Sequence, residues 1–135
     1  MNMEFHRGRL IDHIQLRCAN LDASRRFYEA VLRALGRELV QLAPGLLVAD
    51  ELCLSPSDGP TSHIHIAFQV DNREQVARVY EAGLSAGGRD NGKPGERHYH
   101  PGYYAAFLLD PDGNNIEAVH HGPANRSAAS VVITA

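Results

Sequence analysis

His65-Ile-Ala-Phe-Gln-Val-Asp-Asn72 repeats the pattern of His13-Ile-Gln-Leu-Arg-Cys-Ala-Asn20. Each segment opens on histidine, alternates in polarity and ends in turn or cap residues before an amphipathic helical stretch. Successive side chains of a strand face opposite sides. Ile14, Leu16 and Cys18 therefore share one face, and His13, Gln15 and Arg17 the other. Ile64, Ile66, Phe68 and Val70 likewise oppose His63, His65, Ala67 and Gln69. The chain reads as one domain over residues 1–135, made of two similar modules at about 10–55 and 62–121. The joint Ser55-Pro-Ser-Asp-Gly-Pro-Thr-Ser62 is rich in breakers.

Working outward, Asp22 to Leu35 has helical periodicity through Phe27, Val31 and Leu35, with Asp22 as the expected N-cap and Gly36 as the stop. A second helix is expected over Arg73 to Ala86, where Asn72 and Gln75 have capping-box spacing. Leu52 and Leu54 oppose Glu51 and Cys53 in a further strand. Tyr103 to Leu109 and Asn115 to Val119 are expected to form a hairpin about Asp110-Pro-Asp-Gly-Asn114. Arg89 to Gly102 shows little periodicity and reads as a loop. The tail, 122–135, offers Val131 to Thr134 as a short edge strand or a frayed end. An apolar face on each strand for a helix to cover predicts an α+β fold.

Composition narrows the function. Of 135 residues, 44% are hydrophobic and 21% charged, as in an ordinary globular domain. The formal charge of -3 and a pI near 6.2 leave no basic patch for nucleic acid. No apolar run approaches membrane-spanning length, and Met1 to Leu10 has no signal core, so a cytoplasmic protein is expected. The two cysteines, Cys18 and Cys53, read as free thiols.

Eight histidines stand out. His13 and His65 head the repeated strands at equivalent positions. Packed with pseudo-two-fold symmetry and joined by one carboxylate, they would form a 2-His-1-carboxylate site with open positions. The pattern alone also admits a solvated polar sheet face.

Asp12-His-Ile-Gln-Leu-Arg17, Leu21 to Leu32, His65 to Asp71, and Phe107-Leu-Leu-Asp-Pro-Asp-Gly-Asn-Asn-Ile-Glu117 together resemble the vicinal oxygen chelate superfamily of glyoxalases, bleomycin resistance proteins and extradiol dioxygenases. The resemblance runs over roughly residues 10 to 121 and is weakest from Glu38 to Asp58. It implies two βαβββ modules curling around a metal and substrate cavity. It implies His13, His65 and Glu117 as ligands of one divalent ion (Fe, Ni, Zn or Mn), with His63 competing for the place of His65. Glu117 and Glu51 are the implied catalytic carboxylates. Glu51 is also a candidate fourth ligand, a place that Cys53 or water could fill instead. Arg17 falls where glutathione-dependent members carry a carboxylate-binding arginine.

The stretch with Arg97, His98, Tyr99, His100, Tyr103 and Tyr104 is a candidate lid or cavity wall, hinged at Pro94-Gly95 and Pro101-Gly102. Its substrate-binding candidates are Arg97, His100 and Tyr103, alongside Arg17 and His63. His120 and His121 read as surface residues, and His6 has no role. The implied function is a metal-dependent lyase, isomerase or dioxygenase acting on a small oxygenated substrate, as a homodimer. The alternative is a metal-free binding protein of the bleomycin-sequestering kind.

Overall fold

The computed structural model describes residues 4–134. The two repeated segments become β2 (Ile14–Cys18) and β6 (His65–Gln69), after β1 (Glu4–Arg7). Each leads into a helix, α1 (Leu21–Ala34) or α2 (Arg73–Ser85). Three strands follow each helix: β3 (Val40–Ala43), β4 (Leu46–Ala49) and β5 (Leu52–Pro56) in the first module, and β7 (Arg89–Glu96), β8 (Tyr104–Leu109) and β9 (Asn115–His120) in the second. The last strand is β10 (Val131–Thr134).

The sheets have matching orders, β2-β5-β4-β3 and β6-β9-β8-β7. β2 runs parallel to β5, and β6 to β9, while the remaining pairs are antiparallel. Both histidine-headed strands are therefore edge strands. A third, two-stranded sheet joins β1 to β10.

The core lies on the helix side of both sheets. Leu16 and Leu54 from one module, Leu108 and Ile116 from the other, and Phe27, Val31, Val76 and Val79 from the helices are almost wholly buried. The helices also pack on each other, and Gly83 is what permits this. A Cβ there would stand 2.3 Å from Leu108 Cδ1 and 3.2 Å from Phe27 Cε1. A buried polar lock ties the modules together. Asp110 Oδ2 accepts from the Tyr28 hydroxyl at 2.6 Å and from Asn114 Nδ2 at 2.9 Å. Its Oδ1 accepts the backbone N–H groups of Asp112 and Asn114. Burial, with Asp110 beside it, holds the Tyr28 phenol protonated well above its ordinary range.

Several expectations need correction. Asn20, not Asp22, caps α1 by accepting from Ala23 N, so the helix begins one residue earlier. Gln75 donates its N–H to Asn72, but its side chain returns to Asp71 N. The stretch read as a loop contains β7, an eight-residue strand with register shifts on either side of Gly92. The polar N-terminus supplies β1, whose partner is the tail strand. Gly36, at φ 76°, ends α1 as expected. Gly113, at φ 88°, closes the Asp110 turn. Both cysteines are free and buried. No helix among the described residues is long and apolar enough to cross a membrane.

Candidate active site

The register of the second module builds the site. Ala67 of β6 lies beside Glu117 of β9, and Phe107 of β8 lies on its other side. Ile116 and Ala118 point into the helix-side core, so Glu117 faces the opposite side of the sheet. Glu117 is only 2% exposed there. A buried carboxylate needs partners for both oxygens. Oε1 sits 2.8 Å from His65 Nε2, and Oε2 accepts the Tyr103 hydroxyl. The His65 side chain is 52% exposed, so the pair has one buried and one open member.

Tyr103 is itself braced. Its ring meets Tyr99 edge-on at 4.9 Å, His100 at 5.4 Å and His121 at 5.1 Å. His100 and His121 stack at 5.1 Å, with Nε2 of the first 2.9 Å from Nδ1 of the second. Burial, reinforced by the bond to Glu117, pushes the Tyr103 pKa up to about 12, so it remains a donor at neutral pH. Because the folded value exceeds the ordinary 10, this group's contribution to stability is whole below pH 10 and is lost as pH rises toward 12. An alkaline absorbance titration at 295 nm checks this. Tyr103→Phe should remove one tyrosinate transition near pH 12 and leave the rest of the titration in place.

The other expected residues divide between the modules. His13 precedes β2 on the first sheet, 56% exposed, with Nδ1 2.7 Å from Asp12 Oδ1. That contact lowers the Asp12 pKa. No group of three His, Cys, Asp or Glu side chains among the described residues could hold a metal ion. Within one chain, then, His65 and Glu117 come together, while His13 and Glu51 do not join them. Arg17 stays on the exposed face of β2, and His63 is exposed ahead of β6.

The ladders also sort Glu51 from Cys53. β2 and β5 pair Ile14 with Leu52, so one step back His13 matches Glu51. β6 and β9 pair His65 with Asn115. Glu51 thus corresponds to Asn115, and Cys53 occupies the place that Glu117 holds in the second module. Cys53 is buried although it faces away from Leu52 and Leu54, and the Arg7 side chain lies against it. Burial raises its thiol pKa, and Arg7 opposes that rise. Glu51 instead borders a cavity of about 460 Å³ between the modules, along with Leu10, Ile14, Leu32 and Phe68.

Two site residues escaped the sequence reading. His121 packs on Tyr103 although it lies one residue beyond β9. Phe107, in the middle of a strand, puts its ring 6.1 Å from that of His65. Only its register beside Glu117 marks it out.

Comparison with known proteins adds the following. The family model for the Glyoxalase/Bleomycin resistance protein/Dioxygenase superfamily matches residues 10–118. No curated protein matches the chain. Among solved structures, a glyoxalase/bleomycin resistance protein from Albidiferax ferrireducens T118 is 27% identical, with 82% of this chain and 98% of that one covered and a TM-score of 0.71. A glyoxalase/bleomycin resistance protein/dioxygenase family enzyme from Burkholderia phytofirmans PsJN is 23% identical, covering 82% and 97%, with a TM-score of 0.64. A glyoxalase-related enzyme from Fulvimarina pelagi is 21% identical, covering 90% and 100%, with a TM-score of 0.63. The last two likenesses speak for the fold alone.

Proposed function

The chain belongs to the Glyoxalase/Bleomycin resistance protein/Dioxygenase superfamily, and on that premise we propose that it is a cytoplasmic metal-dependent enzyme of the lyase, isomerase or dioxygenase type, acting on a small oxygenated substrate. The observation that carries this reading is the pairing of buried Glu117 with His65 at 2.8 Å. Two donors each about 2.0–2.2 Å from one ion lie roughly 3 Å apart when their bonds to it are at right angles. The pair therefore fits a first-row divalent metal such as Fe, Ni, Zn or Mn.

His65 and Glu117 would hold that ion, and His13 is the third ligand. The edge strands β2 and β6 present His13 and His65 on different sheets of one chain. A homodimer in which β2 of one copy faces β6 of the other unites them. The ion's contribution is Lewis-acid stabilisation of negative charge developing on a substrate oxygen. Tyr103 holds Oε2 of Glu117 and so fixes which oxygen the carboxylate presents. Glu117 is also the group placed to take and return a proton beside the bound substrate.

A second reading has its own support. Both Glu117 oxygens are already satisfied within one chain, which suits a metal-free binding protein with the same fold. Metal analysis of protein prepared without chelator separates the two. Wild type should carry near-stoichiometric metal, and His13→Ala and Glu117→Ala should each lose it. In a mixture of the two variants under subunit exchange, each mixed dimer has one intact site. About a quarter of the wild-type content should then return. No recovery on mixing would reject the shared site. Wild type that takes up no Ni, Zn, Mn or Fe(II) would favour the binding protein.

A further inference from the structure

We propose that Arg97 is a built anion receptor, and that the substrate is a small organic anion whose apolar body lies on Phe107. This rests on the catalytic reading of His65 and Glu117 above and adds the substrate class.

The Arg97 side chain occupies a formed seat. Arg97 Nη1 donates to Glu96 O at 3.2 Å and Nη2 to Lys93 O at 2.7 Å. Its guanidinium carbon stands 5.4 Å from the Phe107 ring centroid, within cation–π range. The backbone makes room for it. A Cβ at Gly92 would meet Nη2 at 3.3 Å, and one at Gly95 would meet Nη1 at 3.0 Å. The register shifts of β7 between Asp90 and Gly92 and between Gly92 and Gly95 bend the strand around this side chain. Two carbonyls, an aromatic face and two glycines thus immobilise one cation.

What the seat lacks is a counter-charge. The neighbouring acid, Glu96, is paired with Arg73 at 3.0 Å, and Arg97 makes no ion pair among the described residues. Carbonyl oxygens orient a guanidinium without neutralising it. Its remaining N–H groups suit a carboxylate or phosphate-type oxygen pair.

Position turns the seat into a specificity element. Phe107 lies between Arg97 and His65, with ring centroids 6.1 Å apart on the His65 side. Across this face of the sheet the order is His65 and Glu117, then Phe107, then Arg97. A molecule with oxygens at the first pair and a flat or apolar body on the ring delivers its anionic end to the guanidinium.

Benzoate and benzamide, which share a shape and differ in charge, are the probes. Their binding is measured by NMR titration on wild type, Arg97→Gln and Arg97→Lys, with metal content and circular dichroism recorded on each preparation. Wild type should bind benzoate at least about tenfold tighter than benzamide, falling with added salt. Arg97→Gln should abolish that preference with metal content unchanged, and Arg97→Lys should restore part of it. Equal binding of the two probes by wild type, or a preference that survives Arg97→Gln, would overturn the proposal. Metal content judges the His65–Glu117 reading separately. If the glutamine variant unfolds, wild type stripped of metal with chelator decides: benzoate should still be preferred to benzamide, and a preference that vanishes with the metal would overturn the proposal.

Discussion

Glu117→Gln is expected to lower the affinity for divalent metal by more than about 100-fold while leaving the fold intact. Removing an outer-shell partner of a metal site typically costs 10–100-fold, and a direct ligand is worth more. Glutamine has nearly the same shape, and its carbonyl can still accept the Tyr103 hydroxyl. Its amide nitrogen would face His65 Nε2, which can accept when the ring proton sits on the other nitrogen. Packing is thus preserved and only the anionic donor is lost. Equilibrium dialysis with Zn or Ni, beside a thermal melt, separates the effects. Unaltered metal affinity in a folded variant would remove Glu117 from the ligand set.

Asp110→Ala should be the more damaging change to stability, by about 3–5 kcal/mol. Asp110 is 2% exposed and accepts four hydrogen bonds. Alanine strands the Tyr28 hydroxyl and the Asn114 amide in the interior, and the turn between β8 and β9 loses its organiser. Stabilities of such domains are about 5–15 kcal/mol, so roughly a fifth or more of the total is at stake. The midpoint of thermal unfolding should fall by roughly 10–20 °C. Tyr28→Phe, which leaves Asp110 three of its partners, should cost only about 1–2 kcal/mol. Similar melts for wild type and Asp110→Ala would show that the lock contributes little.

How much of this was readable depends on how local each signal is. The repeated histidine-headed strands, both helices and the Asp110 turn lie within short windows, and they stand where the residues place them apart from the start of α1, which Asn20 caps. β7 was hidden because Gly92, Pro94 and Gly95 read as loop residues. They belong to a strand that bends around a side chain. β1 pairs with β10 across nearly the whole chain, and no local pattern announces such a partner. At the site, the resemblance pointed to His65 and Glu117, and they are adjacent. The bond from Tyr103 to Glu117 depends on how the loop before β8 folds back, which periodicity does not encode. The choice between Glu51 and Cys53 required the pairing of parallel strands, a relation fixed only by the crossover.

The Tyr28–Asp110 lock also bears on how such a two-module chain can be taken apart. Each half carries its own sheet and helix, and the breaker-rich joint invites cutting between them. Yet the phenol belongs to one half and the acid that satisfies it to the other. Separating the halves would take the acceptor from the Tyr28 hydroxyl and one of four donors from the Asp110 carboxylate. The two halves share an outline, yet a buried polar group of one is solvated only by the other.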